Sequence, residues 1–185
     1  MSRNFEIEYK NLLTQATYQK MKSYYSLFFP IIQENTYFDT NSRALFQKGI
    51  SLRIRQLNQS YTLTLKLPIN HYVEEYEALV ASANMCEIMH HPLVIKYVFP
   101  LIQEELLSLG TLHTSRVEVP YRKGLLCIDH NHYLNHEDYE LEYELATGIT
   151  EDSFGFQQLL NQFEIPEKKA KGKFFRFIQI LDSDI

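Results

Sequence analysis

Six stretches of this chain alternate apolar and polar residues with a period of two, and in four of them the charged positions carry one sign. In Tyr139–Leu145 the residues Glu140, Glu142 and Glu144 alternate with Tyr139, Leu141, Tyr143 and Leu145. In Phe5–Lys10, Glu6, Glu8 and Lys10 alternate with Phe5, Ile7 and Tyr9. Arg53 and Arg55 alternate with Leu52 and Ile54, and Thr62, Thr64 and Lys66 with Leu63 and Leu65. Glu75 and Glu77 share a face, as do Thr114, Arg116 and Glu118. Successive strand residues point to opposite faces, so each stretch predicts a strand with one apolar and one charged face.

A solvated face explains any one such strand. It explains the set less well, because solvent faces usually mix signs. Three glutamates on one face also repel unless a cation or a basic neighbour sits close. Closing the sheet into a barrel offers another use, since one face then lines an interior. Unpaired buried charge is too costly for a dry core, so that interior would be a wet, polar cavity. Clustered Arg and Lys suit a polyanion such as phosphate, and clustered Glu suits a hard divalent cation. Both together suit a metal-bound polyphosphate.

The remaining readings bound the class. At 185 residues with 45% apolar content, one domain spanning 1–185 is expected. A net charge of −5 argues against a generic nucleic-acid coat. Cys86 and Cys127 have no metal-ligand spacing and fit a reducing, cytoplasmic setting. No basic-then-apolar leader and no bilayer-length apolar run is seen, so neither secretion nor a membrane is expected. Oligomeric state, monomer or homodimer, stays open.

The predicted elements are mostly antiparallel β with helices, an α+β class. Strands are expected at Phe5–Leu12, Glu34–Asp39, Ile50–Leu57, Tyr61–Leu67, Tyr72–Val80, Thr111–Tyr121, Leu125–His130 and Tyr139–Leu145. Asn58–Gln59–Ser60 reads as a hairpin turn. Helices are expected from Thr14 to Phe29, stopped by Pro30, and through most of Ala83–Leu109, broken near Pro92, kinked at Pro100 and ended by Gly110. A third runs from a Thr150 cap to about Phe163, and Lys173–Leu181 fits strand or helix.

The ordered set of motifs resembles the CYTH superfamily, the triphosphate tunnel metalloenzymes, in its small single-domain branch from Gram-positive bacteria. The set is Glu6-x-Glu8-x-Lys10, YFDT at Tyr37–Thr40, LRIR at Leu52–Arg55, TLTLK at Thr62–Lys66, Glu75/Glu77, TSR at Thr114–Arg116, ELEYEL at Glu140–Leu145 and KGK at Lys171–Lys173. The resemblance spans nearly the whole chain. It implies a closed eight-stranded antiparallel barrel with helices packed outside, Mg²⁺ or Mn²⁺, and a small-molecule triphosphate substrate. It implies that Glu6, Glu8 and Lys10 are catalytic, and that Lys10, Arg53, Arg55, Lys66, Arg116, Lys171 and Lys173 bind phosphates. Glu6, Glu8, Glu75, Glu77, Glu140, Glu142 and Glu144 would hold metal or orient water. Thr114 stands where many members carry a basic residue, and Gly172 precedes Lys173 where Ser is usual. The implied activity is metal-dependent hydrolysis, with inorganic triphosphate the leading substrate. The alternatives are a class IV-type adenylate cyclase, a thiamine triphosphatase and a non-catalytic polyphosphate or nucleotide binder.

Other residues read as structural. His90–His91 and His130-x-His132 match no common zinc pattern. Cys127 reads as a small core residue, and Tyr24, Tyr25, Phe28 and Phe29 as helix packing. Asp39 and Thr40 fit a turn as well as a site. Asp129, ending a strand beside the tunnel motifs, fits a metal-supporting role or a turn equally.

Overall fold

Alternation along the chain produces nine strands among the described residues, in the order β1 (Ser2–Glu6), β2 (Glu8–Leu13), α1 (Gln15–Tyr24), β3 (Ile31–Asp39), β4 (Ser51–Leu57), β5 (Ser60–Ile69), β6 (Tyr72–Val80), α2 (Met85–His90), α3 (Pro92–Tyr97), β7 (Leu107–Tyr121), β8 (Gly124–Tyr133), β9 (His136–Leu145), α4 (Ser153–Phe163) and α5 (Lys173–Ser183). The computed structural model describes the backbone of residues 2–69 and 72–183 and the side chains of residues 7–69 and 73–183. The sheet is mainly antiparallel, as the alternation predicts. The count is nine rather than eight because the Phe5–Leu12 stretch divides at Ile7 into β1 and β2.

The chain forms two compact units: residues 1–5 with 33–112, and residues 6–32 with 113–185. In the first unit the strand order is β1-β6-β5-β4-β3-β7, and in the second β7-β8-β9-β2, with β7 supplying residues to both. Each unit has its own core. In the first, Leu52, Ile54, Leu63, Leu65 and Tyr76 from one sheet face pack with Ile88 of α2 and Leu93 and Val94 of α3. In the second, Val117, Val119, Leu126, Ile128, Leu141 and Tyr143 pack with Tyr18 and Met21 of α1 and with Leu159, Leu160 and Phe163 of α4. The opposite sheet face in each unit carries the charged positions.

Several element boundaries differ from expectation for local reasons. The helix capped by Thr14, whose hydroxyl accepts from the Thr17 N–H, stops at Tyr24 rather than Phe29. Tyr24 and Tyr25 contact the Phe163 ring of α4, as expected of helix packing, whereas Phe28 and Phe29 lie beyond the helix and are exposed. The helical stretch expected over Ala83–Leu109 breaks at Pro92 as expected, but its two helices are short and end at Tyr97. Pro92 opens α3, its predecessor His91 is extended and caps Leu93, and Pro100 sits in a 3₁₀ turn. Leu107 already begins β7, and Gly110 lies inside that strand rather than at a helix end. Asp152, not Thr150, precedes α4. Lys173 opens a helix, which resolves the strand-or-helix choice. The β4–β5 turn is the two residues Asn58–Gln59, with Ser60 already paired to Leu57 and Asn58 at φ 54°. Asp39 makes the turn after β3: its carboxylate accepts from the backbone N–H groups of Thr40, Leu45 and Phe46.

Candidate functional site

Strand register assembles a charged cluster within the second unit. Lys10 on β2 is directly opposite Glu142 on β9, and Glu8 is opposite Glu144. Asp129 on β8 is opposite Glu140. Arg116 comes from β7, whereas Lys173 and Arg176 reach in from α5. Like charges placed opposite one another destabilise a sheet, and here four cations intervene.

Arg116 donates through Nε and Nη2 to the two Asp129 oxygens at 2.9 and 2.8 Å, through Nη2 to Glu142, and through Nη1 to Glu144 at 3.1 Å. Lys10 bridges Glu8 at 2.8 Å and Glu142 at 2.9 Å. The Lys173 ammonium lies 2.8 Å from each of Asp129, Glu140 and Glu142, which occupies its three N–H donors. Arg176 forks onto Glu140 and Asp138. Asp138 also accepts from Asn131 and Tyr133, and Asn131 in turn accepts from the Thr114 hydroxyl. Thr114 is therefore buried in a hydrogen-bond chain that runs through Asn131 to the Asp138 carboxylate.

Glu142, Asp129 and Asp138 stay ionised in spite of their burial. Burial by itself would raise the carboxyl pKa of Glu142, but Lys173, Lys10 and Arg116 hold it well below the usual range. Asp129 is held low against its burial by Arg116 and Lys173, and Asp138 by Arg176. Reciprocally, burial would lower the Lys10 and Lys173 ammonium pKa values. Glu142 and Glu8 raise the first, and Asp129, Glu140 and Glu142 raise the second. Cys127 is buried on this charged face rather than in the core, directly opposite Glu142, and burial pushes its thiol up.

Among the described residues, two carboxylate trios have oxygens within 4.8 Å of one another: Glu8–Glu142–Glu144 and Asp129–Glu140–Glu142. The second already surrounds the Lys173 ammonium. The first is partly open, with the Glu8 side chain 18% and the Glu144 side chain 33% exposed. All its donors are carboxylate oxygens, the hard set that suits Mg²⁺ or Mn²⁺.

In the first unit a second polar face carries Arg53, Arg55, Thr62, Thr64, Lys66, Glu75 and Glu77. Arg55 donates to Asn35 at 3.2 Å. Glu75 lies 3.8 Å from the Arg53 guanidinium and 3.6 Å from the Lys66 ammonium, looser than any ion pair around Glu142.

The residues singled out by sequence therefore divide into groups. Glu8, Lys10, Arg116, Glu140, Glu142, Glu144 and Lys173 come together in the second unit. Arg53, Arg55, Lys66, Glu75 and Glu77 share a face of the first. Lys171 is exposed, its ammonium 4.0 Å over the Phe175 ring. The Glu6 side chain lies outside the described residues. Tyr9, on the face opposite Glu8 and Lys10, stacks on Tyr143 and Phe156. Asp129 is fully buried at the cluster's centre. Asp138 and Arg176 were not singled out. Asp138 could have been found as the next even position before Glu140, and Arg176 three residues after Lys173 once that segment is known to be helical. His130 pairs with Glu137 and stacks on Tyr139, apart from either trio.

The CYTH domain family profile matches residues 4–178. The chain belongs to the CYTH domain family. A Bacillus subtilis (strain 168) relative of this CYTH protein, "Putative triphosphatase YjbK", is 37% identical over 185 residues, covering 97% of each chain. The solved structure of a "putative adenylate cyclase (bh2851)" from Bacillus halodurans is 32% identical, covers 96% of this chain and 99% of that one, and has a TM-score of 0.84. A Hippeastrum structure, "Putative adenylyl cyclase HpAC1", described as having dominant triphosphatase activity, shares the CYTH fold at 24% identity and a TM-score of 0.73, covering 94% of this chain and 95% of that one. No helix among the described residues is long and apolar enough to cross a membrane.

Proposed function

We propose that this protein is a divalent-metal-dependent triphosphatase acting on inorganic triphosphate. One observation carries the reading. Among the described residues, the second unit gathers six carboxylates, Glu8, Asp129, Asp138, Glu140, Glu142 and Glu144, around four cations, Lys10, Arg116, Lys173 and Arg176. Six negative against four positive charges leaves two negative charges, the complement of one divalent cation. Glu8, Glu142 and Glu144 are the ligands we assign to Mg²⁺ or Mn²⁺. The bound ion would supply neutralisation of phosphate charge and Lewis-acid polarisation of a phosphoryl oxygen.

The chain's own residues do the positioning. Lys10 and Arg116 tie Glu142 between them and keep it anionic, so it need not lose a proton before holding a cation. Lys173 and Arg176 neutralise Glu140 and confine the acidic excess to the Glu8 side of the cluster. In the first unit Arg53, Arg55 and Lys66 supply charge for phosphate oxygens, in keeping with phosphoryl transfer by positioning and electrostatic stabilisation. We read residues 1–185 as one functional domain, since the family match runs through both units. The name of the Bacillus subtilis relative supports the activity.

Phosphate release from tripolyphosphate by the purified protein, with Mg²⁺ or Mn²⁺, is the direct test. Metal-dependent turnover of ATP with none of tripolyphosphate would refute the inorganic substrate. The Bacillus halodurans relative favours cyclisation as the second reading. Cyclic AMP rather than free phosphate from ATP would establish it.

A further inference from the structure

Among the described residues of the first unit, two buried side-chain atoms have no hydrogen-bond partner: Nε of Arg53 and the hydroxyl oxygen of Thr64. They are neighbours by register, because Arg53 on β4 is directly opposite Thr64 on β5. Opposed residues share a sheet face, so both stand on the face of Arg55 and Lys66. Thr64 is fully buried and Arg53 is 8% exposed. The rest of that cross-strand row leaves them unmet: Tyr37 flanks Arg53 on β3, and Glu77 flanks Thr64 on β6. The carboxylate paired with the guanidinium, Glu75, stands 3.8 Å from Nη2, beyond hydrogen-bond reach.

Buried polar groups are nearly always paired, and leaving one unmet costs stability. The cations of the second unit obey this rule, with Arg116, Lys173 and Arg176 donating at hydrogen-bond distance to several carboxylates each. The exception at Arg53 and Thr64 therefore marks a missing partner. The partner's charge follows from the donors. A guanidinium N–H can only donate, and its charge repels a metal ion, so the partner must be an acceptor and is best an anion. Arg55 and Lys66 on the same face add to that preference.

We propose that the Thr64 hydroxyl, beside Nε of Arg53, donates to a phosphate oxygen of the triphosphate and is a substrate-binding residue of this protein. The proposal rests on the triphosphatase reading above. It assigns to Thr64 a contact that charge patterning alone could not reveal, because the residue is neutral.

Thr64→Val keeps the side chain's shape and removes the hydroxyl, whereas Thr64→Ser keeps the hydroxyl. Full-length proteins are compared by calorimetric titration with tripolyphosphate and by thermal melting without it. Thr64→Val should weaken tripolyphosphate binding about tenfold, as expected for loss of a hydrogen bond to a charged group. It should melt at or above the parental temperature, because an unmet buried hydroxyl is gone. Thr64→Ser should bind within about twofold of the parent, far inside the tenfold loss expected without the hydroxyl. Parental affinity in Thr64→Val would mean that a buried water alone meets the hydroxyl, and would overturn the assignment while leaving the triphosphatase reading intact. Equal losses in the Val and Ser variants would overturn it too, since packing would then be the cause. Absence of tripolyphosphate binding by the parent overturns both.

Discussion

Replacing Glu8 with Gln separates the metal-binding role of the acidic cluster from its structural role. Glu8 is 18% exposed and pairs with Lys10 at 2.8 Å. A partly exposed ion pair of this kind is worth about 1 kcal/mol or less. Its loss is offset by relief of repulsion from Glu144, directly opposite on β9. The variant should therefore melt within about 2–4 °C of the parent, the shift that ~1 kcal/mol produces in a chain of this size. Its response to metal should change far more. A divalent ion at about a hundred times its dissociation constant adds ~2.7 kcal/mol to the folded state, or about 5–10 °C at that conversion. With one of three carboxylates gone, most of that shift should vanish, and turnover of tripolyphosphate should fall ~10²-fold, as for a single positioned electrostatic group. Glu142→Gln is the contrasting case. Glu142 holds Lys10, Arg116 and Lys173, so removing its charge should cost about 3–5 kcal/mol even without metal. Differential scanning fluorimetry with and without Mg²⁺ or Mn²⁺, beside a phosphate-release assay, reads both effects. If Glu8→Gln melts about 10 °C early, which is the loss expected of a buried pair, Glu8 is a structural ion-pair residue. Parental metal response and parental turnover in the same variant would refute the Glu8–Glu142–Glu144 trio as the cation site.

Two further outcomes follow from the hydrogen bonds and the ionised carboxylates. Asp39→Ala removes the acceptor for three backbone N–H groups at the turn after β3 and should lower unfolding free energy by about 3 kcal/mol in urea, with an unchanged midpoint counting against that role. The carboxyls of Glu142 and Asp129 titrate below their ordinary values of 4.5 and 3.8, so their stabilisation is whole at neutral pH and is lost only as pH falls below those values and through the folded ones. The parent's urea midpoint should accordingly drop steeply below about pH 4, more steeply than that of Glu142→Gln, which has one fewer such carboxyl; equal acid slopes would contradict the assignment.

Alternation in the sequence determined the strands and which residues share a face, because a strand's side-chain period is two whatever it pairs with. Glu140, Glu142 and Glu144 stand against Tyr139, Leu141 and Tyr143 for that reason alone. The order of the charged motifs carried the family. Proline marked the break at Pro92, but helix ends were less legible: α1 stops at Tyr24 and α3 at Tyr97, with no proline or glycine directly after either. What tertiary structure decided was pairing across long separations in the chain. Lys10 meets Glu142 only because β2 lies beside β9, and Lys173 and Arg176 enter the cluster only because α5 folds onto it. Asp129, read from sequence as equally a turn residue, is buried between Arg116 and Lys173. No local pattern distinguishes Thr64 from Thr62, yet Thr64 has a buried hydroxyl without a partner. Whether a hydroxyl is satisfied depends on the atoms that the folded chain brings within hydrogen-bond distance, and neither spacing nor composition encodes that distance.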